Sequence, residues 1–272
     1  MSGPVDSAIS ASIEDVPLWY HTLDLPGGVV TPGWFDLRGI VDKLPWPDVR
    51  GKRCLDVGTY DGFYAFELER RGASEVIATD IGGHSEWDLP VAERELAANA
   101  LASFTGEKGL GFEVAKRALG SKVEKRIVNV YNLSPDELGM FDVVVCGSLM
   151  LHLRDPVRAL EAIRSVCNSW FMSVEEVAFD LTFRFRRRPV ADMRFEANPT
   201  QWWVVNAAGH SRMIEAAGFS VVDRFGPFAE PFGAGHSARG KNLRSRRRRL
   251  LRTMILGGDG VPHNSVLART RS

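Results

Sequence analysis

The chain has 272 residues, 44% of them hydrophobic and 25% charged, and its 34 basic side chains balance 34 acidic ones. That length and apolar fraction suffice for one sizeable core, and a formal charge of zero gives no global field to recruit nucleic acid or a membrane surface. Cys54, Cys146 and Cys167 are scattered and form no ligand pair or disulfide framework, so they read as buried thiols of a reducing cytoplasm; no apolar run reaches membrane-spanning length.

In chain order, residues 1–15 are small and polar without a leader pattern and are expected to be disordered. Residues 16–50, with Trp19, Tyr20 and His21, are expected to form a lid ahead of a domain spanning 51–272. Apolar runs predict strands at Arg53–Val57, Glu75–Thr79, Lys125–Val130, Phe141–Cys146, Trp170–Val174, Phe219–Phe225 and Asn264–Arg269. Amphipathic stretches predict helices at Phe63–Arg71, Val91–Phe104, Phe112–Leu119, Asp155–Val166 and Ala207–Ala217. Asp155-Pro156 is a cap followed by a first-turn proline, and Gly218 supplies a stop. Alternation of this kind predicts an α/β fold with a mostly parallel sheet and helices on both faces, interrupted by insertions at 180–205 and 227–261.

The most informative stretch runs Asp56-Val57-Gly58-Thr59-Tyr60-Asp61-Gly62-Phe63, with Asp80 ending the next strand. A strand, a glycine turn and a helix, followed by an acid one strand later, make half of a nucleotide crevice. Gly58 and Gly62 would let backbone approach a ligand, and Asp80 could accept both hydroxyls of a ribose. A dinucleotide site needs three close glycines for its pyrophosphate, whereas Tyr60 takes the middle place and Asp61 would repel a diphosphate. S-adenosylmethionine fits better, with Asp56 placed to hold its cationic amine. After the third strand, Asn129 with the backbone N–H of Val130, or alternatively Asn132, faces the same space as Asp80 and is a candidate for cofactor contact.

This run resembles motif I of the class I S-adenosylmethionine-dependent methyltransferases, and Phe141–Pro156, reading F-D-V-V-V-C through H-L-R-D-P, resembles their motifs IV and V. The resemblance implies a Rossmann-like sheet of seven strands in the order 3-2-1-4-5-7-6 with the last strand antiparallel. It also implies that Ser148 and His152 flank the methyl-donor region. Together with Trp19-Tyr20-His21, Val29–Gly33 and Trp202–Asn206, these motifs are similar to the bacterial group that includes the tRNA wobble-uridine methyl- and carboxymethyltransferases.

Methyl transfer requires an aligned acceptor, exclusion of water and, for a hydroxyl, a base. The base candidates are His152, His21 and Glu175; Tyr20, Trp202, Trp203 and Asn206 are candidates for acceptor contacts, and no ligand-spaced cluster predicts a metal. The leading expectation is methylation of a hydroxyl on a small metabolite or sugar. Basic runs at Arg184–Arg188 and Arg244–Arg252, interleaved with apolar residues, keep RNA as the alternative partner. Carboxymethyl transfer would need a further cation, for which Arg184, Arg186 and Arg194 are available. A non-catalytic binding protein is the third reading.

Overall fold

The computed structural model describes residues 12–194, 200–236 and 253–271. Its main sheet has seven strands: β1 (Arg53–Val57), β2 (Glu75–Asp80), β3 (Glu124–Ile127), β4 (Phe141–Gly147), β5 (Cys167–Glu176), β6 (Phe219–Pro231) and β7 (Gly260–Thr270). They lie in the order β6-β7-β5-β4-β1-β2-β3, with β7 antiparallel to both neighbours and the pairs from β5 to β3 parallel. This is the order, with a reversed last strand, that the class I resemblance implied.

Strand alternation divides the core between the two faces. On one face Cys54, Val143 and Met172 pack with Phe63, Leu68 and Phe112 from α1 (Phe63–Arg70) and the helix at Leu110–Leu119. On the other, Leu55, Val57 and Phe171 pack with Leu160, Ile163 and Ile214 from the helices at Pro156–Val166 and Ala207–Ala216. Apolar residues on both sides of every central strand explain why these strands read as continuous hydrophobic runs. The capping signals act as expected: Asp155 Oδ1 accepts from Arg158 N–H at 3.0 Å, and Gly218 follows the Ala207–Ala216 helix at φ 92°.

Several boundaries differ from expectation. The strand expected to reach Val130 stops at Ile127, because Val130–Asn132 form a 3-10 turn capped by Asn129. β6 extends to Pro231 and β7 starts at Gly260, so the second insertion is confined to 232–259, part of which lies outside the described residues. The first insertion holds a short helix, Phe179–Arg184, and a two-stranded ribbon pairing Ala191–Met193 with Trp203–Val205. Residues 12–15 do not form a loose start: Ile13 is buried, and its carbonyl accepts from Val16 N–H and Trp19 Nε1–H. Trp19, Leu37 and Leu44 join the same core as α1, so the segment expected as a lid is anchored at its base.

Candidate active site

The carboxyl ends of β1, β2 and β4, together with the reversed start of β7, open into a cavity of about 520 Å³, within the range of small-ligand sites. Gly58 lies in its wall at φ 76°, a left-handed conformation that glycine adopts without a Cβ penalty. Tyr60 and Ser148 also line it and hold left-handed φ values of 48° and 50°, an uncommon state for side-chain-bearing residues that concentrates at functional sites. Val130 and Asn129 line the wall beyond β3, although the Asn129 side chain is engaged by the N–H of Tyr131 at 3.1 Å.

Asp80 is the acidic centre of this wall. Its Oδ1 accepts from Ile81 N–H at 2.8 Å, and its Oδ2 accepts from Tyr60 N–H at 3.0 Å and Lys108 Nζ at 2.9 Å. Lys108 is nearly buried and lies over the Tyr60 ring at 4.8 Å. A carboxylate offers about four lone-pair positions, so Lys108 leaves room for one ribose hydroxyl on Oδ1 rather than a free pair of acceptors. No sequence motif marked Lys108.

Strand and helix geometry removes several candidates from the cavity. Asp56 is buried behind β1, where its Oδ2 accepts from Ala65 N–H at 3.1 Å at the start of α1; Val57 takes the cavity side by alternation. Burial pushes the Asp56 carboxyl up to about 7, against the pull of its hydrogen bonds. Gly62 also lies away from the wall, at φ 93° with Phe66 and Phe112 atoms 2.4–2.8 Å from where a Cβ would stand; its role is close packing under α1.

Glu175 points away as well, its oxygens accepting from Leu149 and Met150 N–H at 3.3 and 3.1 Å, while Glu176 lines the cavity. Trp202 gives its Nε1–H to the Asp88 carbonyl and lies under Arg154, and Trp203 sits in a small separate pocket, so neither reaches the main cavity. Asn206 is fully buried: its Oδ1 caps Gly209 and accepts from Val190, and its Nδ2 donates to the Phe185 and Arg188 carbonyls.

Burial pushes the Glu175 carboxyl up to about 8, although its two backbone donors pull it down. A folded-state value raised above 4.5 stabilises the fold most at low pH, and that contribution is lost as pH rises towards about 8. Glu175→Gln should therefore flatten the fall in Tm between about pH 5 and pH 8 in thermal unfolding. An unchanged profile would contradict this buried acid.

His21, Tyr20 and His152 all reach the cavity. His21 Nδ1 is 2.6 Å from Asp61 Oδ1, and its ring stacks on Phe63. Burial opposes its charge, but Asp61, reinforced by Glu230 and Asp56, outweighs burial and raises the imidazole above its ordinary value. His152 Nδ1 donates to the Thr200 carbonyl at 2.5 Å, and its ring meets the edge of Trp87; burial lowers its pKa. Residues that no sequence signal marked complete the wall beside Tyr20. Phe104, Trp34, His236, Phe35 and Tyr20 form a continuous series of ring contacts, with centroids 5.1–5.6 Å apart. Glu176, Glu230 and His263 gather at the β5–β7–β6 end.

A seven-stranded sheet of this order, with a glycine turn after β1 and an acid after β2 in one cavity wall, defines a class I methyltransferase fold. The profile of the methyltransferase-domain family matches residues 36–224, and the chain belongs to that family. It is 30% identical over 125 residues to a tRNA U34 carboxymethyltransferase of Campylobacter hominis, covering 46% of this chain and 35% of that protein. It is 32% identical over 115 residues to a ubiquinone biosynthesis O-methyltransferase of Neisseria meningitidis, covering 42% and 39%. The chain thus spans well under half the length of these relatives. Similar solved structures include the 4+2 cyclase SpnF, at 17% identity and TM-score 0.51 over 97% of this chain and 93% of that one. Another belongs to the Haloferax volcanii complex of the Trm112 activator with a methyltransferase, at 11% identity and TM-score 0.55 over 86% and 88%. At such identities these structures speak to the fold alone.

The cofactor of this class is S-adenosylmethionine, and the cavity suits it. Gly58 leaves the backbone bare where the cofactor would cross β1, Oδ1 of Asp80 retains an acceptor position, and Val130 with Asn129 closes the far end.

Proposed function

We propose that this chain transfers a methyl group from S-adenosylmethionine to a hydroxyl of a small metabolite or sugar-like acceptor. In this reading Asp80, Gly58, Tyr60, Val130, Asn129 and Ser148 hold the cofactor, and the acceptor enters beside Tyr20, Trp34, Phe35 and Phe104. The cofactor supplies an electrophilic methyl group; the protein aligns the acceptor, excludes water and takes a proton.

One observation carries this reading. Among the described residues of the cavity wall, Lys108 is the only lysine or arginine, and Asp80 already pairs with it. Such a wall, mostly apolar and aromatic with carboxylates and imidazoles spread along it, favours a compact, hydroxylated acceptor over a phosphate-bearing one. It also favours methyl over carboxymethyl transfer. Arg194 pairs with Glu176 and Asp192, while Arg184 and Arg186 are exposed and outside the wall. Arg184–Arg188 leave RNA as the competing partner, and Arg244–Arg252 lie outside the described residues.

The test is release of S-adenosylhomocysteine with a panel of hydroxylated metabolites and, separately, with total tRNA. Turnover with a panel member and none with tRNA is expected; turnover with tRNA alone would contradict the reading. A gel shift with total tRNA should likewise show no band that weakens steeply with salt.

His152 is assigned to holding the cavity, because its Nδ1 anchors the Thr200 carbonyl and its ring supports Trp87. We expect His152→Ala to weaken S-adenosylhomocysteine binding about tenfold by calorimetry, equivalent to ~1.4 kcal/mol. Full affinity combined with a large loss of turnover would return the base role to His152.

A further inference from the structure

We propose that His263, backed by Glu230, is the base that takes the proton of the acceptor hydroxyl. This rests on the hydroxyl-acceptor reading above. Both residues lie beyond residue 224, where the family match ends.

The geometry fixes the role of each nitrogen. His263 Nδ1 is 3.1 Å from the Val261 carbonyl, and a carbonyl only accepts, so Nδ1 carries a hydrogen and Nε2 is left with a lone pair in the neutral ring. Nε2 lies 3.0 Å from Ser148 Oγ and 3.1 Å from Glu230 Oε2. That Glu230 oxygen is buried and makes no hydrogen bond, although the residue is only 1% exposed and lines the cavity. A proton taken up on Nε2 would face this oxygen, and the two would then form a buried ion pair. The register explains the placement: His263 stands opposite Glu176 of β5 and Phe228 of β6, at the end of the sheet away from Asp80. Glu176, Glu175 and His21 are coupled electrostatically to Glu230, and Tyr20 and Tyr64 also lie within its field.

During transfer the acceptor O–H bond breaks and its proton passes to His263 Nε2. The acceptor oxygen forms its bond to the methyl carbon as the carbon–sulfur bond breaks, that electron pair staying on sulfur. Glu230 stabilises the imidazolium, which later returns the proton to solvent.

The test uses the full chain with sinefungin, a cofactor analogue with an ammonium group in place of the methylsulfonium, and 4-nitrophenol as a hydroxyl probe whose colour reports ionisation. Visible titration across pH should show the bound probe ionising more readily with the wild type than with His263→Gln, by about tenfold or more in the ionisation constant. Glu230→Gln should lose part of the same shift. Sinefungin affinity within about threefold of wild type would show that each variant keeps its cavity. Equal ionisation of the bound probe in wild type and His263→Gln overturns the assignment of the base. Failure of the wild type to bind the probe in the presence of sinefungin overturns the hydroxyl-acceptor reading and the base assignment with it.

Discussion

Asp80→Ala is expected to abolish measurable S-adenosylhomocysteine binding. The carboxylate stands where a ribose would meet β2, and losing the one charge-assisted hydrogen bond it can still accept costs about 1.5–3 kcal/mol, or roughly 10- to 150-fold in affinity. Two further losses act in the same direction. Tyr60 and Ile81 N–H would lose the acceptor that shapes the turn, and Lys108, whose side chain is 5% exposed, would keep its charge without this partner. Asp80→Asn, which retains an acceptor oxygen, should be milder. A calorimetric titration of Asp80→Ala that matched the wild type would remove the crevice assignment.

Gly58→Val is the second large effect. At φ 76° a β-branched residue is strained by roughly 1–2 kcal/mol, and the new side chain would start 3.1 Å from Leu149 Cδ2, inside the cavity wall. Leu149 can shift because only the end of its side chain is in the way, so the chain should still fold with a lowered Tm. The cofactor path is filled in either case, and S-adenosylhomocysteine affinity should fall by about two orders of magnitude or more. A folded Gly58→Val protein with undiminished affinity would make Gly58 an ordinary turn residue.

The sheet was legible because its strands carry unbroken apolar runs and its helices carry capping residues such as Asp155 and Gly218, both local signals. Gly58, Tyr60 and Asp80, all in the cavity wall, were legible for the same reason, since they fall within a few residues of strand ends. Side-chain direction was harder to read. Asp56 and Glu175 each lie one position from the residue that faces the cavity, Val57 and Glu176, and alternation along β1 and β5 decides which is buried. Asn206 and the two tryptophans are polar or bulky enough to suggest contacts, yet they cap a helix and brace a ribbon. Lys108, Glu230 and His263 carried no motif. They reach the cavity through loops and through the antiparallel β6–β7 pair, whose pairing is set by contacts far apart in sequence.

The most direct measurement is isothermal titration of the wild-type chain with S-adenosylmethionine, S-adenosylhomocysteine and NAD in parallel. On the proposed reading an adenosyl group would sit on Asp80 beside a turn in which Tyr60 stands where a diphosphate would need glycine. One equivalent of each adenosyl ligand should therefore bind, with no heat from NAD beyond dilution. Binding of NAD, or no binding of either adenosyl ligand, would contradict the account.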